Sequence, residues 1–321
     1  MSGQNQAIIT HKLNQYIHRL LPLDNKDLLV ILSNSILCVN QPEYRLGESL
    51  KISFENNSIE GVCVLKKNHV LIKIPQNFIV IELFNNNTEY RVISTFNLYP
   101  NIRLRYQKMV PIDGSKILLN VTDSIIVLEE GAPYIFQTEK KIFLKKSLNS
   151  ILPIRKNEII SSCCDEKKVI FIDTLKGRIL SVINNIHIYI EDVDSFCRIN
   201  KNVVAMGGDL RDGIYFFDIN RRELIFQYKE NWRGYNSLLR LGNNKFLGES
   251  YEGRCYGESD DDSEDLYCTH FFEYNEKEQK IKIYKYSQDR VYDLKRINLV
   301  KFKGIGKIAY SSHYEFYIEN L

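Results

Sequence analysis

Short apolar runs that end in an acidic or amide residue recur along the whole chain. In GIYFFDINRRELIFQY, Gly213 to Tyr228, one apolar run ends at Asp218, a polar turn follows, and a second apolar run begins. Seven runs have this form: SILCVN ending at Asn40, FIVIE at Glu82, IIVLE at Glu129, VIFID at Asp173, IYFFD at Asp218, FFEYN at Asn275 and FYIE at Glu319. The intervals between their last residues are 42, 47, 44, 45, 57 and 44 residues. A period in the forties is typical of propeller blades or of paired-helix repeats.

The segments between the runs distinguish propeller blades from paired-helix repeats. A strand-like segment such as LLVILSN precedes each run, another such as LIFQY follows most of them, and a further one such as NSLLRLGNN lies ahead of the set. Short strands divided by Asn, Gly, Asp and Lys turns, without amphipathic helical stretches, favour four strands per repeat. The sequence therefore predicts an all-β fold, a single seven-bladed β-propeller with four antiparallel strands per blade. The predicted blades are 15–54, 58–98, 102–143, 146–186, 188–230, 233–287 and 291–321 plus 6–13.

The N-terminal segment QAIITHKL, residues 6–13, is an orphan strand ahead of the first repeat, and the last repeat supplies only three strands. An open propeller would leave two unpaired sheet edges, which promote aggregation. Pairing of residues 6–13 with the last blade would close the propeller. The alternative is a disordered N-terminal tail.

Composition and charge narrow the function classes. The chain has 321 residues with 44% hydrophobic and 26% charged residues, and 43 basic against 40 acidic residues give a net charge of +3. Nucleic-acid-binding proteins more often concentrate positive charge, so this balance argues against nucleic acid. The N-terminus shows no signal-peptide pattern, no run is long enough for a membrane span, and the seven Cys lack disulfide or metal spacing. We expect a cytoplasmic protein without a membrane partner, and the nucleus remains open as a location.

A strand that ends in an apolar residue plus an acid, followed by a turn and another strand, resembles the WD-repeat (WD40) propeller blade. The dipeptides at this position are Val39-Asn40, Ile81-Glu82, Leu128-Glu129, Ile172-Asp173, Phe217-Asp218, Tyr274-Asn275 and Ile318-Glu319. No Trp occupies the site and the Gly-His signature is missing, so the resemblance indicates no subfamily. It implies a non-catalytic scaffold that binds a partner protein or peptide on the loop face, which carries the connections between blades and the turns between second and third strands.

An acidic insertion in blade six explains the 57-residue interval. ESDDDSED, residues 258–265, lies between the predicted second and third strands and is too acidic to pack. Asp260, Asp261 and Asp262 are therefore candidate contacts for a basic partner, and a neutral insertion is the alternative. The three aspartates are contiguous rather than alternating, so their spacing does not match that of a calcium loop.

Aromatic and arginine residues at the blade junctions are the other candidate contacts. Trp232, Arg233 and Tyr235 occur together between blades five and six, and these residue types are enriched in binding hot spots. Tyr99 and Arg103 lie at an equivalent junction. An aromatic wedge packed between blades is the alternative for this group. Arg211, in GGDLRDG, is a further candidate on a turn between two strands, although such a turn can equally be solvated.

Catalytic, metal and cofactor sites find little support in the sequence. The six His are scattered, and no GxSxG, HExxH or Walker pattern occurs. We predict no catalytic residues, no metal and no cofactor. Two alternatives to the scaffold are an RNA-associated accessory subunit, using the lysines of EKKIFLKK (Lys140, Lys141, Lys145 and Lys146), and a propeller enzyme with a small-molecule site at the channel mouth.

Overall fold

The structure, a computed structural model, describes most of the chain. The described residues are 9–25, 27–40, 44, 50–54, 57–66, 68–98, 104–113, 115–121, 124–144, 148–163, 166–187, 196–208, 212–229, 233–242, 244–252, 266–287, 297–301, 307–311 and 315–320.

Strands are the repeating element of these residues, which contain no α-helix. In chain order they are β1 (Ile9–Lys12), β2 (Ile17–Pro22), β3 (Leu28–Leu32), β4 (Ser35–Val39), β5 (Leu50–Ser53), β6 (Gly61–Val64), β7 (His69–Lys73), β8 (Phe78–Phe84), β9 (Glu89–Phe96), β10 (Leu104–Asp113), β11 (Lys116–Val121), β12 (Ser124–Ala132), β13 (Ile135–Phe143), β14 (Ile151–Arg155), β15 (Glu158–Cys163), β16 (Lys168–Asp173), β17 (Arg178–Asn184), β18 (Phe196–Arg198), β19 (Val203–Gly207), β20 (Ile214–Asp218), β21 (Glu223–Tyr228), β22 (Arg233–Gly242), β23 (Lys245–Glu252), β24 (Leu266–Asn275), β25 (Lys280–Ser287), β26 (Ile297–Lys301), β27 (Lys307–Ser311) and β28 (Glu315–Asn320).

These strands form seven four-stranded antiparallel sheets, as the sequence predicts. Blades one to six each contain four consecutive strands, from β2–β5 for blade one to β22–β25 for blade six. Blade seven has the order β1-β28-β27-β26. Its outermost strand is the N-terminal one, with Ile9 opposite Ile318 and Lys12 opposite Glu315. The prediction that the N-terminal segment completes the last blade is therefore confirmed.

The chain divides into two compact units, each with its own buried core. Unit 1 is Met1–Lys141 with Ile297–Leu321, and unit 2 is Ile142–Arg296. In both units the second strand of a blade is deeply buried, and β3, β7, β15 and β19 are buried along their whole length. Apolar clusters join neighbouring blades within each unit. In unit 2, Phe216 of blade five stacks on Tyr274 of blade six with ring centroids 5.3 Å apart.

The acidic residue that ends the third strand of blades four and five has a local structural role. Asp218 Oδ1 accepts hydrogen bonds from the backbone N–H groups of Asn220 and Arg221, at 2.6 and 2.9 Å. Asp173 Oδ1 accepts one from the N–H of Lys176 in the same way. Such side chains satisfy backbone donors that a tight turn leaves unpaired. In these two blades the repeated residue is therefore the cap of the turn that leads into the fourth strand, and Asn275 of blade six caps its turn in the same way. Glu82 and Glu129 instead lie within β8 and β12.

The same turns also hold neighbouring blades together within each unit. The contact runs from the turn between third and fourth strands to the start of the second strand in the preceding blade. In unit 1, Asn87 Nδ2 donates to Asp27 Oδ2 at 2.7 Å, and the ring of Tyr134 stacks on that of His69 at 4.2 Å. In unit 2, Arg222 Nε donates to Glu158 Oε1 at 2.7 Å.

A left-handed backbone explains how these side chains reach the preceding blade. Asn87, Tyr134 and Arg222 have φ of 62°, 59° and 57°. This region is sparsely populated by residues other than Gly and costs energy. The contact with the preceding blade offsets that cost, because a left-handed residue directs its side chain differently from an ordinary strand residue.

Replacing Glu158 with alanine is expected to destabilise unit 2 by about 2 kcal/mol, because charged hydrogen bonds from Arg222 and from Arg155 (2.9 Å) are lost. Chemical unfolding followed by circular dichroism measures the effect. Glu223→Ala is the matched control, since Glu223 is exposed and pairs with the exposed Arg221 at 3.3 Å; its effect should stay within about 0.5 kcal/mol. Equal effects of the two substitutions would show that the contact between blades four and five contributes nothing specific.

Candidate interaction face

Antiparallel pairing places the connections of each blade at two ends. The loop face of a unit carries the connections between blades and the turns between second and third strands. The opposite end, here called the turn face, carries the turns between first and second and between third and fourth strands. Most predicted contact residues lie outside the described residues: Trp232, Tyr99, Arg103, Arg211, Asp260, Asp261 and Asp262. Arg233 opens β22 opposite Glu252, and only its backbone is described.

Tyr235 corrects one prediction. Its side chain is 0% exposed and packs edge-on against the rings of Phe272 and His270, at 5.5 and 5.9 Å. Gly248 makes room for it, because a Cβ there would lie 3.1 Å from the Tyr235 ring and 2.8 Å from that of Phe272. Tyr235 is therefore an aromatic wedge between blades five and six of unit 2, and its side chain is not available to a partner. The sequence could not show this, since burial of Tyr235 depends on residues of another strand.

The glycine-rich segment around Arg211 connects two strands of blade five, and residues 209–211 within it lie outside the described residues. β19 ends at Gly207 and β20 begins at Ile214. Gly213 has φ +67°, and a Cβ on it would lie 2.0 Å from the carbonyl oxygen of Tyr228. Gly208 N–H donates to the Gly213 carbonyl at 2.7 Å. These contacts explain the glycines by backbone geometry, so a phosphate loop is not needed to account for them.

Asp212 is the charged group that this turn holds on the loop face of unit 2. Gln227 Nε2 donates to its backbone carbonyl at 2.8 Å and to its Oδ1 at 3.2 Å. His187 Nδ1 lies 3.8 Å from Asp212 Oδ2, and the backbone N–H of His187 donates to the Tyr215 hydroxyl at 3.2 Å. The carboxylate is thus fixed by Gln227 of β21 and by His187, which lies on the connection after β17.

A buried ammonium organises the loop face of unit 1. Lys73 is 0% exposed; its Nζ donates to the carbonyls of Ile74 and of Pro75 and lies 3.1 Å from Glu60 Oε2. The Phe78 ring centroid lies 5.3 Å from Nζ. Buried charge is tolerated only when it is paired and hydrogen-bonded, and Lys73 meets this condition. It fixes the turn between β7 and β8 rather than offering a reactive amine.

A histidine–serine pair lies at the same end of blade one. His18 Nε2 is 3.1 Å from Ser33 Oγ, and the ring of Tyr16 lies 5.0 Å from that of His18. Partial burial lowers the pKa of His18, so its imidazole is neutral at neutral pH. A nucleophilic serine also requires a group that orients the base, and among the described residues no carboxylate pairs with His18.

The described part of the chain contains no cluster of three or more metal-ligating side chains and no helix long and apolar enough to cross a membrane. A cavity of about 180 Å³ between blades two and three is lined by Val64, Leu65, Lys66, Pro111, Ser115, Lys116, Ile117 and Phe136. Ligand pockets are typically about 300 Å³ or larger, so this cavity is smaller than a typical ligand pocket.

Burial raises the pKa of Cys38, Cys63 and Cys197 to about 12, so these thiols stay protonated and inert at neutral pH.

Comparison with solved structures identifies the fold. A chain in "Crystal Structure of Mitotic Checkpoint Complex" aligns with a TM-score of 0.72 and 9% identity, covering 98% of this chain and 91% of the other. "Structure of U3-55K" aligns with 0.71 and 9%, covering 98% of both chains. The Myceliophteria thermophila Cps50 (Swd1) β-propeller domain aligns with 0.64 and 8%, covering 98% and 99%. The chain therefore has the fold of a seven-bladed WD40-type β-propeller, with no subfamily indicated. Neither protein-family models nor curated protein sequences give a match.

Proposed function

We propose that the protein is a non-catalytic scaffold that binds a partner protein or peptide through its loop face. The observation that carries the proposal is the separation of rigid strands from variable connections. Four of the second strands, β3, β7, β15 and β19, are buried along their whole length, while the connection in blade six is longer than its counterparts by a strongly acidic insertion. A rigid framework with variable loops is the usual arrangement of a recognition surface.

The comparisons support this proposal at the level of architecture. One of the similar chains belongs to the crystal structure of a mitotic checkpoint complex. A chain built on the same fold has the same means to hold a partner across several loops at once. We further propose that the protein acts in the cytoplasm, with the nucleus as an alternative location, and that the partner is basic where it meets residues 258–265.

The described loop face supports binding more than chemistry. The buried ammonium of Lys73 at the loop face of unit 1 and the carboxylate of Asp212 at the loop face of unit 2 are each engaged by partners that fix their positions. The His18–Ser33 pair is one residue short of a catalytic triad in the described chain. Charges that are paired in this way hold the loops in fixed positions. Catalysis instead needs a nucleophile, a base and a group that orients the base.

Affinity purification of the tagged protein from its own cells, with and without nuclease, tests the proposal. The decisive variant replaces Asp260, Asp261 and Asp262 with asparagine, which removes charge at constant length. A matched control replaces three exposed carboxylates of the turn face: Asp24→Asn, Glu223→Gln and Glu278→Gln. We expect a stoichiometric protein that survives nuclease, binds the control variant normally and is recovered several-fold less with the asparagine variant.

Two other outcomes would contradict the proposal. Loss of all partners after nuclease treatment would favour the RNA-associated alternative, whose affinity should also fall steeply with salt. Recovery of the protein alone, together with labelling of Ser33 by a serine-reactive phosphonate probe, would favour an enzyme. A protein partner that binds all three forms equally would leave a scaffold whose acidic insertion is neutral.

A further inference from the structure

A dense set of basic side chains lies on the turn face of blades four and five in unit 2. We call it the basic turn cluster: Arg155, Lys156, Lys176, Arg178, Lys201, Arg221 and Arg222. Hydrogen bonds connect the turns that carry it. Arg155 Nη2 donates to Asn220 Oδ1 at 2.5 Å, and Asn220 Nδ2 donates to Asn202 Oδ1 at 3.2 Å. The cluster is therefore one continuous surface made by turns of two neighbouring blades.

The acidic side chains among these turns are engaged in local structure. Glu158 is buried under Arg155 and Arg222, which bond to its two oxygens. Asp173 and Asp218 cap backbone N–H groups of their turns. Glu223 pairs with Arg221, whose side chain is 74% exposed. Because an exposed pair of this kind is weak, the three lysines together with Arg178 and Arg221 keep their charge available to a ligand.

Positive charge is not a general property of the turn face. The equivalent turns and strand ends of blades one to three, where described, carry six acidic and three basic residues: Asp24, Asp27, Glu82, Glu89, Glu129 and Glu130, against Lys66, Arg91 and Lys116. The whole chain has a net charge of only +3. The concentration of basic residues on blades four and five is therefore a local feature that would attract a polyanion.

Exposed aliphatic side chains accompany the cluster and identify the kind of polyanion. Leu175 directly precedes Lys176 in its turn and is 53% exposed, Ile179 follows Arg178 at 39%, and Leu224 follows Glu223 at 36%. The large exposed apolar residues described on these two blades are aliphatic, not aromatic. Single-stranded RNA is usually held by aromatic stacking, whereas leucine and isoleucine suit the apolar side chains of a peptide.

We propose that the basic turn cluster is a second docking surface, which binds an acidic peptide segment with interspersed aliphatic residues in a partner protein. Lysines and arginines would bind its carboxylates, and Leu175, Ile179 and Leu224 would contact its apolar side chains. The inference rests on the proposed scaffold function and adds a surface opposite to the loop face. A propeller that binds at both ends can join two partners.

A fluorescein-labelled synthetic peptide in which glutamate, aspartate and leucine repeat provides the test. Fluorescence anisotropy measures its affinity for the full chain at increasing salt. The cluster variant combines Lys156→Glu, Lys176→Glu and Lys201→Glu. The matched control combines Lys245→Glu, Lys277→Glu and Lys280→Glu, which are exposed lysines on the turn face of blade six in the same unit. Circular dichroism confirms that both variants are folded.

We expect the wild type and the control variant to bind the peptide alike, with affinity that falls as salt screens the charges. The cluster variant should bind roughly tenfold more weakly, because three favourable surface charges become repulsive. Leu175→Ser should weaken binding without changing its salt dependence. No binding by the wild type, or equal losses in both triple variants, would overturn the inference. Displacement of the peptide by a tighter-binding RNA oligonucleotide would also overturn it, in favour of RNA.

Two measurements on the wild type, partner recovery from cells and peptide binding, separate this inference from the proposed function. If the wild type recovers a protein partner from cells but does not bind the peptide, the scaffold stands and the second surface does not. If no protein partner is recovered at all, the scaffold function itself fails.

Discussion

Replacing Phe216 with alanine is expected to lower the free energy of unfolding by about 3–5 kcal/mol. The Phe216 ring is fully buried and stacks on the rings of Phe226 and Tyr274, with centroids 4.4 and 5.3 Å away. A third ring, Phe246, meets it edge-on at 6.0 Å. The substitution removes apolar contact with both neighbouring strands and an adjacent blade, and leaves a cavity that rigid strands cannot fill.

Denaturant unfolding followed by circular dichroism measures this loss as a shift of the midpoint. Phe143→Ala is the control, since Phe143 is 65% exposed on the fourth strand of blade three; its effect should stay within about 0.5 kcal/mol. A shift for Phe216→Ala as small as that of the control would mean that blades five and six do not share a packed core.

Deleting residues 1–12 is expected to destabilise unit 1 by about 4 kcal/mol, because four residue pairs between β1 and β28 lose their backbone hydrogen bonds. The deletion also leaves β28 as an unpaired edge, so the shortened protein should associate at high concentration. Thermal unfolding and light scattering measure the two effects.

Deleting only residues 1–7 gives the matched control for the β1 deletion. It shortens the chain but keeps Ile9–Lys12 and their partners in β28. This protein should unfold at the wild-type temperature and stay monodisperse. If the two deletions behaved alike, the pairing of β1 with β28 would contribute nothing to stability.

Much of the fold could be predicted from the sequence because its causes are local. Adjacent residues specify the alternation of apolar and polar side chains in a strand, and they also specify the turn that follows the strand. Asp218 caps the backbone two and three residues further along the chain. The apolar run with its polar end repeats in the sequence with each blade, so the number of blades and the number of strands in each blade could be predicted.

The candidate site was harder to predict from the sequence, because the burial and pairing of its residues depend on residues far away in the chain. Tyr235 belongs to a residue type that is common in binding contacts. It is nevertheless a core residue, because Gly248 has no side chain to occupy its place and its ring packs against that of Phe272. Arg222 is one of several arginines in the sequence, and only the fold brings it to Glu158, 64 residues away. Most of the other predicted contact residues remain predictions, since they lie outside the described residues.

The sequence by itself determined the strands, the polar turns and the seven-fold repeat, because hydrogen bonds and apolar alternation within a few residues specify them. Only the tertiary structure decided which face of a strand meets the next blade, which charges are consumed in ion pairs, and which remain available. Burial and pairing are set by neighbours some 40 to 65 residues away in the chain, as for Asn87 with Asp27 and Arg222 with Glu158. The basic turn cluster exists for that reason: its residues are scattered along the sequence, and packing of blades four and five makes them one surface.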